Sequence, residues 1–140
     1  MTSYIKELSD FGLFVLIWIV QLIVYPSFTM MEKSNLLAWH PKYTQMITII
    51  VMPLMLVQII LTLYLTYSNS NWILITQSVL VVLLWASTFF QAVPLHNLIE
   101  SNQEVAESAK KLVQVNWNRT AMWTIIVLLN LVQRFTTFNN

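Results

Sequence analysis

Between Tyr43 and Ile99 the chain carries no lysine, arginine, aspartate or glutamate, a run of 57 residues. Few folds accept such a stretch. About 20 apolar residues rising ~1.5 Å each cross the ~30 Å hydrocarbon core of a bilayer, so the run is too long for one span and suits two. Its polar interruption is Thr66-Tyr-Ser-Asn-Ser-Asn71. Those residues predict an antiparallel hairpin of helices at 44–65 and 72–93 with a tight loop between them. Tyr64, Tyr67 and Trp72 bracket the loop, as aromatic side chains do at the level of lipid headgroups.

A further uncharged segment, 11–31, is long enough for a first span. It does not have the build of a cleaved leader: Lys6 is offset by Glu7 and Asp10, and the run ends in Tyr-Pro-Ser-Phe instead of a small-x-small site. A span over 113–135 must take in Arg119, because the uncharged run between Arg119 and Arg134 is shorter than a bilayer. That arginine either snorkels to the interface or faces inward. Residues 96–112 form an amphipathic connector, with Leu98, Ile99, Val105, Ala109 and Leu112 set against Glu, Lys and Ser. It serves as a surface helix, a cap over a pocket or a simple link. The expected fold is all-α, an integral membrane four-helix bundle forming a single domain over 1–140. At 57% apolar and 9% charged residues, the chain lacks the polar surface a soluble domain of this size needs.

Seven basic against six acidic residues give no basic stripe for nucleic acid, and the absence of cysteine removes disulfides, thiolate metal sites and thiol redox chemistry. Lys33, Lys42, Lys110 and Lys111 fall on the side of the first and third loops, against Lys6 and Arg134 on the other. The positive-inside rule then places those loops in the cytoplasm and both termini outside a multi-pass cell-membrane protein. Pro26, Glu32, Ala38 and Lys42 recur as Pro94, Glu100, Ala106 and Lys110 at a constant spacing of 68. Two parallel two-helix repeats would give that pattern, with a shared pocket between the halves.

Within the expected spans the polar residues are Gln21, Tyr25, Gln58, Gln77, Thr88, Gln91, Asn116, Asn130 and Gln133. With every Asp and Glu assigned to a terminus or loop, a proton-coupled multidrug pump, which needs an intramembrane carboxylate, is disfavoured. Gln21 and Tyr25 share a helix face, as do Thr88 and Gln91. Such residues either line a polar interior strip or make ordinary interhelical hydrogen bonds worth ~0.6 kcal/mol each. His40 and His96 both lie just outside spans on one side. A helix continuing past His96 would align Glu100, Glu104 and Glu107 with it, but there is no Glu-x-x-His or His-x-x-x-His pair, so no metal site is expected. Glu107 and Lys111 are spaced to pair as i, i+4. On the last helix Arg119, Trp123, Asn130 and Gln133 fall near one face. Arg119 there has either a cation–π or amide partner inside, or a snorkelling role beside Trp117 and Trp123 as belt residues.

Val93-Pro94-Leu-His-Asn97 followed by Val115-Asn-Trp117-Asn-Arg119-Thr120 resembles the pattern Val-Pro-(Ile/Leu)-Asn … Trp … Asn-x-x-Arg of the anthrone-oxygenase-like (DUF1772-type) small four-helix membrane proteins. His96 stands at the pattern's Asn, with Asn97 next, and the Trp to Arg spacing is shorter. The resemblance implies oxygenation of a polycyclic phenol in an intramembrane pocket, the activity of some members. The ligand-binding set expected for this chain is Gln21, Tyr25, Gln91, His96, Asn116 and Arg119, around a hydrophobic or aromatic molecule; the sequence leaves the cofactor unknown. The alternative is a non-catalytic subunit that packs against a second copy or another membrane protein.

Overall fold

The computed structural model describes residues 1–138. Four helices account for nearly all of them: α1 (Thr2–Met30), α2 (Lys33–Ser68), α3 (Trp72–Glu100) and α4 (Val105–Phe138). The principal contacts pair α1 with α2 and α4, and α3 with the same two, so the helices stand in a square in chain order. Short links make each neighbour antiparallel to the last.

Helices α1, α2 and α3 are long and apolar enough to cross a membrane; α4 is not, on its composition. The reason lies in which face its polar residues occupy. Asn116, Arg119, Thr120 and Asn130 are buried, while Ile125, Leu128, Leu131, Val132 and Phe135 are exposed. Much of the polarity of α4 is turned into the bundle, and between Ala121 and Val132 its exposed side chains are apolar, while Glu107, Lys110, Lys111, Gln114, Asn118 and Arg134 are exposed on either side of that stretch.

Helix α3 does not stop at residue 93 before Pro94, the boundary expected from the sequence, and α1 runs through Pro26 as well. Each proline is preceded by a single π turn, at Val20–Val24 in α1 and Thr88–Ala92 in α3. The Tyr25 N–H bonds the Val20 carbonyl and the Val93 N–H bonds that of Thr88, each five residues back. A proline ring presses on the carbonyl four residues before it and offers no N–H; the wider turn makes room, and the helix resumes beyond. Hydroxyls take up carbonyls nearby, with Ser27 Oγ donating to Val24 O at 2.7 Å and Thr88 Oγ1 to Leu84 O at 2.8 Å.

The connectors are short. Asn71 Oδ1 caps α3 by accepting from the Leu74 N–H at 3.0 Å, and Tyr67 and Trp72 beside it are exposed. At the end of α3 the Asn102 N–H bonds Ile99 O and the Gln103 N–H bonds Leu98 O, with Asn102 at φ 60. This is a Schellman stop, in which asparagine tolerates the left-handed conformation. The expected helical connector is therefore interrupted at Ser101–Glu104. No single face carries His96, Glu100, Glu104 and Glu107.

Candidate functional site

A cavity of ≈ 790 Å³ lies between α2 and α3. Its apolar walls include Leu13, Ile17 and Val20 from α1, Val51, Met52 and Met55 from α2, and Phe89, Ala92 and Val93 from α3. The π turn of α3 thus puts Thr88, Phe89 and Ala92 on the wall. The cavity opens sideways between the two helices, where Ile49 is 74% and Phe89 48% exposed. Its polar lining is Thr44, Thr48, His96, Asn97 and Glu100 towards the Glu100 end of α3, with Thr88 and Arg119 deeper.

Arg119 faces inward. It is 6% exposed, donating from one Nη to Asn116 Oδ1 at 3.2 Å and from the other to Thr88 Oγ1 at 3.3 Å, with its guanidinium 5.4 Å from the Trp123 ring centroid. Its Nε has no partner. Thr88 stands ~18 Å along α3 from Glu100 and ~24 Å from Trp72, so the guanidinium beside it is too deep to reach either end of the bundle. Trp123 is 1% exposed and donates to Gln58 Oε1, which makes it an interior residue and not a belt residue. Asn116 Nδ2 donates in turn to Gln21 Oε1 at 3.0 Å, and Gln21 Nε2 to the Val113 carbonyl at 3.3 Å.

A second chain of contacts runs from the cavity's polar end. Tyr25 Oη and His96 Nε2 are 3.1 Å apart, His96 Nδ1 and His40 Nε2 2.8 Å, and His40 Nδ1 lies 3.3 Å from Glu100 Oε1. The last contact is at ion-pair distance without hydrogen-bond alignment. Glu100 also accepts from Thr44 Oγ1 at 2.8 Å. With both imidazoles neutral, one consistent set of tautomers lets Tyr25 donate to His96, His96 to His40, and His40 point its remaining N–H at Glu100. His40 is fully buried, wedged between the Phe28 and His96 rings at 5.4 and 5.0 Å. The two imidazoles face each other, and no cluster of metal-binding side chains occurs among the described residues.

Of the residues expected at the site, Gln21, Tyr25, His96, Asn116 and Arg119 belong to these two networks, which meet where the Tyr25 hydroxyl and Arg119 are hydrogen-bonded. Gln91 does not. It accepts from Ser87 Oγ at 2.7 Å and lies exposed beside a smaller outer cleft of ≈ 320 Å³ between α3 and α4. The π turn separates it from Thr88, so the spacing that would place both on one face of a regular helix does not hold here. His40, Thr88, Trp123 and Glu100 join the networks instead.

The other end of the bundle holds an ion pair that the sequence reading assigned to a terminus. Lys6 and Asp10 are 2% and 0% exposed, with Nζ and Oδ2 2.7 Å apart. All four helices close around the pair: Gln58 Nε2 donates to Asp10 Oδ1, Asn130 Nδ2 to Asp10 Oδ2, and Gln77 Nε2 to Asn130 Oδ1. Helix α1 begins at Thr2, so both charges stand on the buried stripe continued by Leu13 and Ile17. That three-and-four spacing was the available signal. Asp10 is thus a carboxylate inside the bundle and not in a solvated terminus, and its charge is matched by Lys6. Nearby, Arg134 Nε donates to Glu7 Oε2 at 2.6 Å on the exposed side.

No protein-family model, curated protein or solved structure matches this chain. Fold and site together define a class: a four-helix bundle with a polar column inside and an apolar cavity open at its flank.

Proposed function

We propose that this protein is a multi-pass membrane bundle that takes a lipophilic small molecule from the bilayer into the cavity between α2 and α3 and holds its polar part against His96 and Arg119. The observation that carries the reading is the cavity itself. Its ≈ 790 Å³ fall within the range of sites for one drug-sized ligand, its walls are apolar, and a few polar groups converge at depth. An opening between two apolar helices suits a ligand that partitions into lipid. Helix α4 is the fourth span in this reading, since Asn116, Trp123 and Asn130 inside the bundle are hydrogen-bonded to Gln21, Gln58 and Gln77 of the other helices. The loops at Met31–Glu32 and Ser101–Glu104 then face the cytoplasm and the termini face out.

The catalytic form of the reading is oxygenase-like chemistry on an aromatic ligand, as the resemblance to the DUF1772-type proteins implies. The Tyr25–His96–His40–Glu100 contacts would serve there as a route for a phenolic proton towards the aqueous end. The test is extraction of small molecules from the chain purified in mild detergent, compared with Ala92→Phe, which puts a ring into the cavity. A compound retained by the wild type and absent from the variant supports the pocket; equal retention counts against it. A non-catalytic subunit is the second reading, favoured by the outer cleft at Phe90, which is 81% exposed. Stable co-purification of another membrane protein, lost in Phe90→Ser, would support that one.

A further inference from the structure

Among the described residues no carboxylate pairs with Arg119, although it is 94% buried by its 6% exposure and lines the cavity. The contrast with Lys6, the other deeply buried cation, is direct: Lys6 has Asp10. A guanidinium carries five N–H donors, and its partners are neutral oxygens, those of Asn116 and Thr88 at 3.2 and 3.3 Å and the Tyr25 phenol. A buried charge without a counter-ion is costly, and neutral acceptors with one aromatic ring offset only part of that cost. The site is built for one negative charge it does not itself supply.

We propose that Arg119 recognises the head of a single-tailed monoanionic lipophile, a long-chain carboxylate, whose tail runs along the apolar wall and out through the opening between α2 and α3. This rests on the cavity being a ligand site. One guanidinium balances one charge, so a dianionic head would be left half-compensated. A planar carboxylate matches the guanidinium fork, which makes charge-assisted hydrogen bonds about twice as strong as neutral ones. The ≈ 790 Å³ suit a molecule with one chain, not a two-chain phospholipid. Route and charge agree as well. Glu100 lines the polar end of the cavity and repels an anion arriving from water, whereas the flank opening is bordered by Ile49, Phe89 and Val93. The head therefore enters from the side and settles against Arg119 beside Thr88, about three helical turns from Glu100 on α3.

The full chain in detergent at pH 8 is titrated with oleate, oleyl alcohol, oleylamine and dioleoylphosphatidylglycerol, with binding read by native mass spectrometry. The wild type should bind oleate at least about tenfold more tightly than the alcohol, and the amine most weakly. In Arg119→Gln the preference for oleate over the alcohol should disappear. Equal binding of oleate and oleyl alcohol by the wild type overturns the proposal without any variant, and so does an oleate preference that survives Arg119→Gln. Phosphatidylglycerol binding as tightly as oleate overturns the single-tailed ligand and points to a lipid headgroup. If neither oleate nor the alcohol binds more tightly to the wild type than to Ala92→Phe, it is the cavity reading that fails.

Discussion

The Lys6 ammonium and the Asp10 carboxylate meet at 2.7 Å inside the bundle, one helical turn apart on α1 and both out of contact with solvent. Three donors converge on the two Asp10 oxygens, from Lys6, Gln58 and Asn130. Breaking a buried pair by removing one partner typically costs about 3–5 kcal/mol, because the other charge is left uncompensated. Lys6→Met and Asp10→Asn should each lower stability by that order. The double variant should lose clearly less than the sum of the two. Denaturation of the four proteins in one detergent measures the coupling, and additive losses would show that the two charges do not stabilise each other.

Asn116 links Gln21 to Arg119, so its removal leaves a buried amide oxygen and a guanidinium N–H short of a partner. Asn116→Leu should cost about 1–3 kcal/mol and reduce retention of any co-purified lipophile. Gln91→Ala, on the outer face, should stay within about 0.5 kcal/mol of wild type and retain the ligand. A reversed order of these two variants would move the site from the cavity to the outer cleft.

Orientation can be read with single cysteines in this cysteine-free chain. Ser70→Cys lies in the α2–α3 turn and Ser101→Cys at the α3–α4 turn, at opposite ends of α3. An impermeant thiol reagent on intact cells should label the first and spare the second. Labelling of the second alone reverses the orientation, and equal labelling removes the membrane-crossing role of α3.

Glu107 and Lys111, both exposed near the start of α4, form an ion pair at 2.7 Å. The hydrogen bond from Lys111 and its charge hold the Glu107 carboxyl below the usual glutamate range, and Glu107 holds Lys111 above its own. A depressed carboxyl contributes to folding above its unfolded value, and that contribution is lost as pH falls through the lower folded value. In Lys111→Ala the Glu107 titration midpoint, followed by NMR with a labelled side chain, should therefore move up. An unmoved midpoint would mean that the pair does not persist in solution.

Much of the architecture was legible because hydrocarbon thickness and the lack of charge between Tyr43 and Ile99 leave little choice. The turn expected over Thr66–Asn71 followed from local residue chemistry, although α2 runs on to Ser68 and leaves only Asn69–Asn71 for it. What could not be read was continuity: Pro94 looks like a stop, and the π turn before it lets α3 run on, as the one before Pro26 does in α1. The same turns displaced Gln91 from the face where regular spacing would put it. Lys6 and Asp10 were missed because charge near a chain start reads as solvated, and their partners Gln58, Gln77 and Asn130 come from three other helices. The His40–His96 contact joins two segments 56 residues apart that the sequence placed only on a common side.

The two π turns carry a historical consequence. Substitution erases shared residues readily, whereas a one-residue insertion within a helix can be removed only by a compensating deletion that rotates everything downstream. Val20–Val24 and Thr88–Ala92 hold that insertion at the same offset before Pro26 and Pro94. If the halves descend from one ancestral hairpin, this shared fault in the winding is the inherited mark that outlasts the rest. A relative encoded as a single half, assembling as a two-fold dimer, should carry it once.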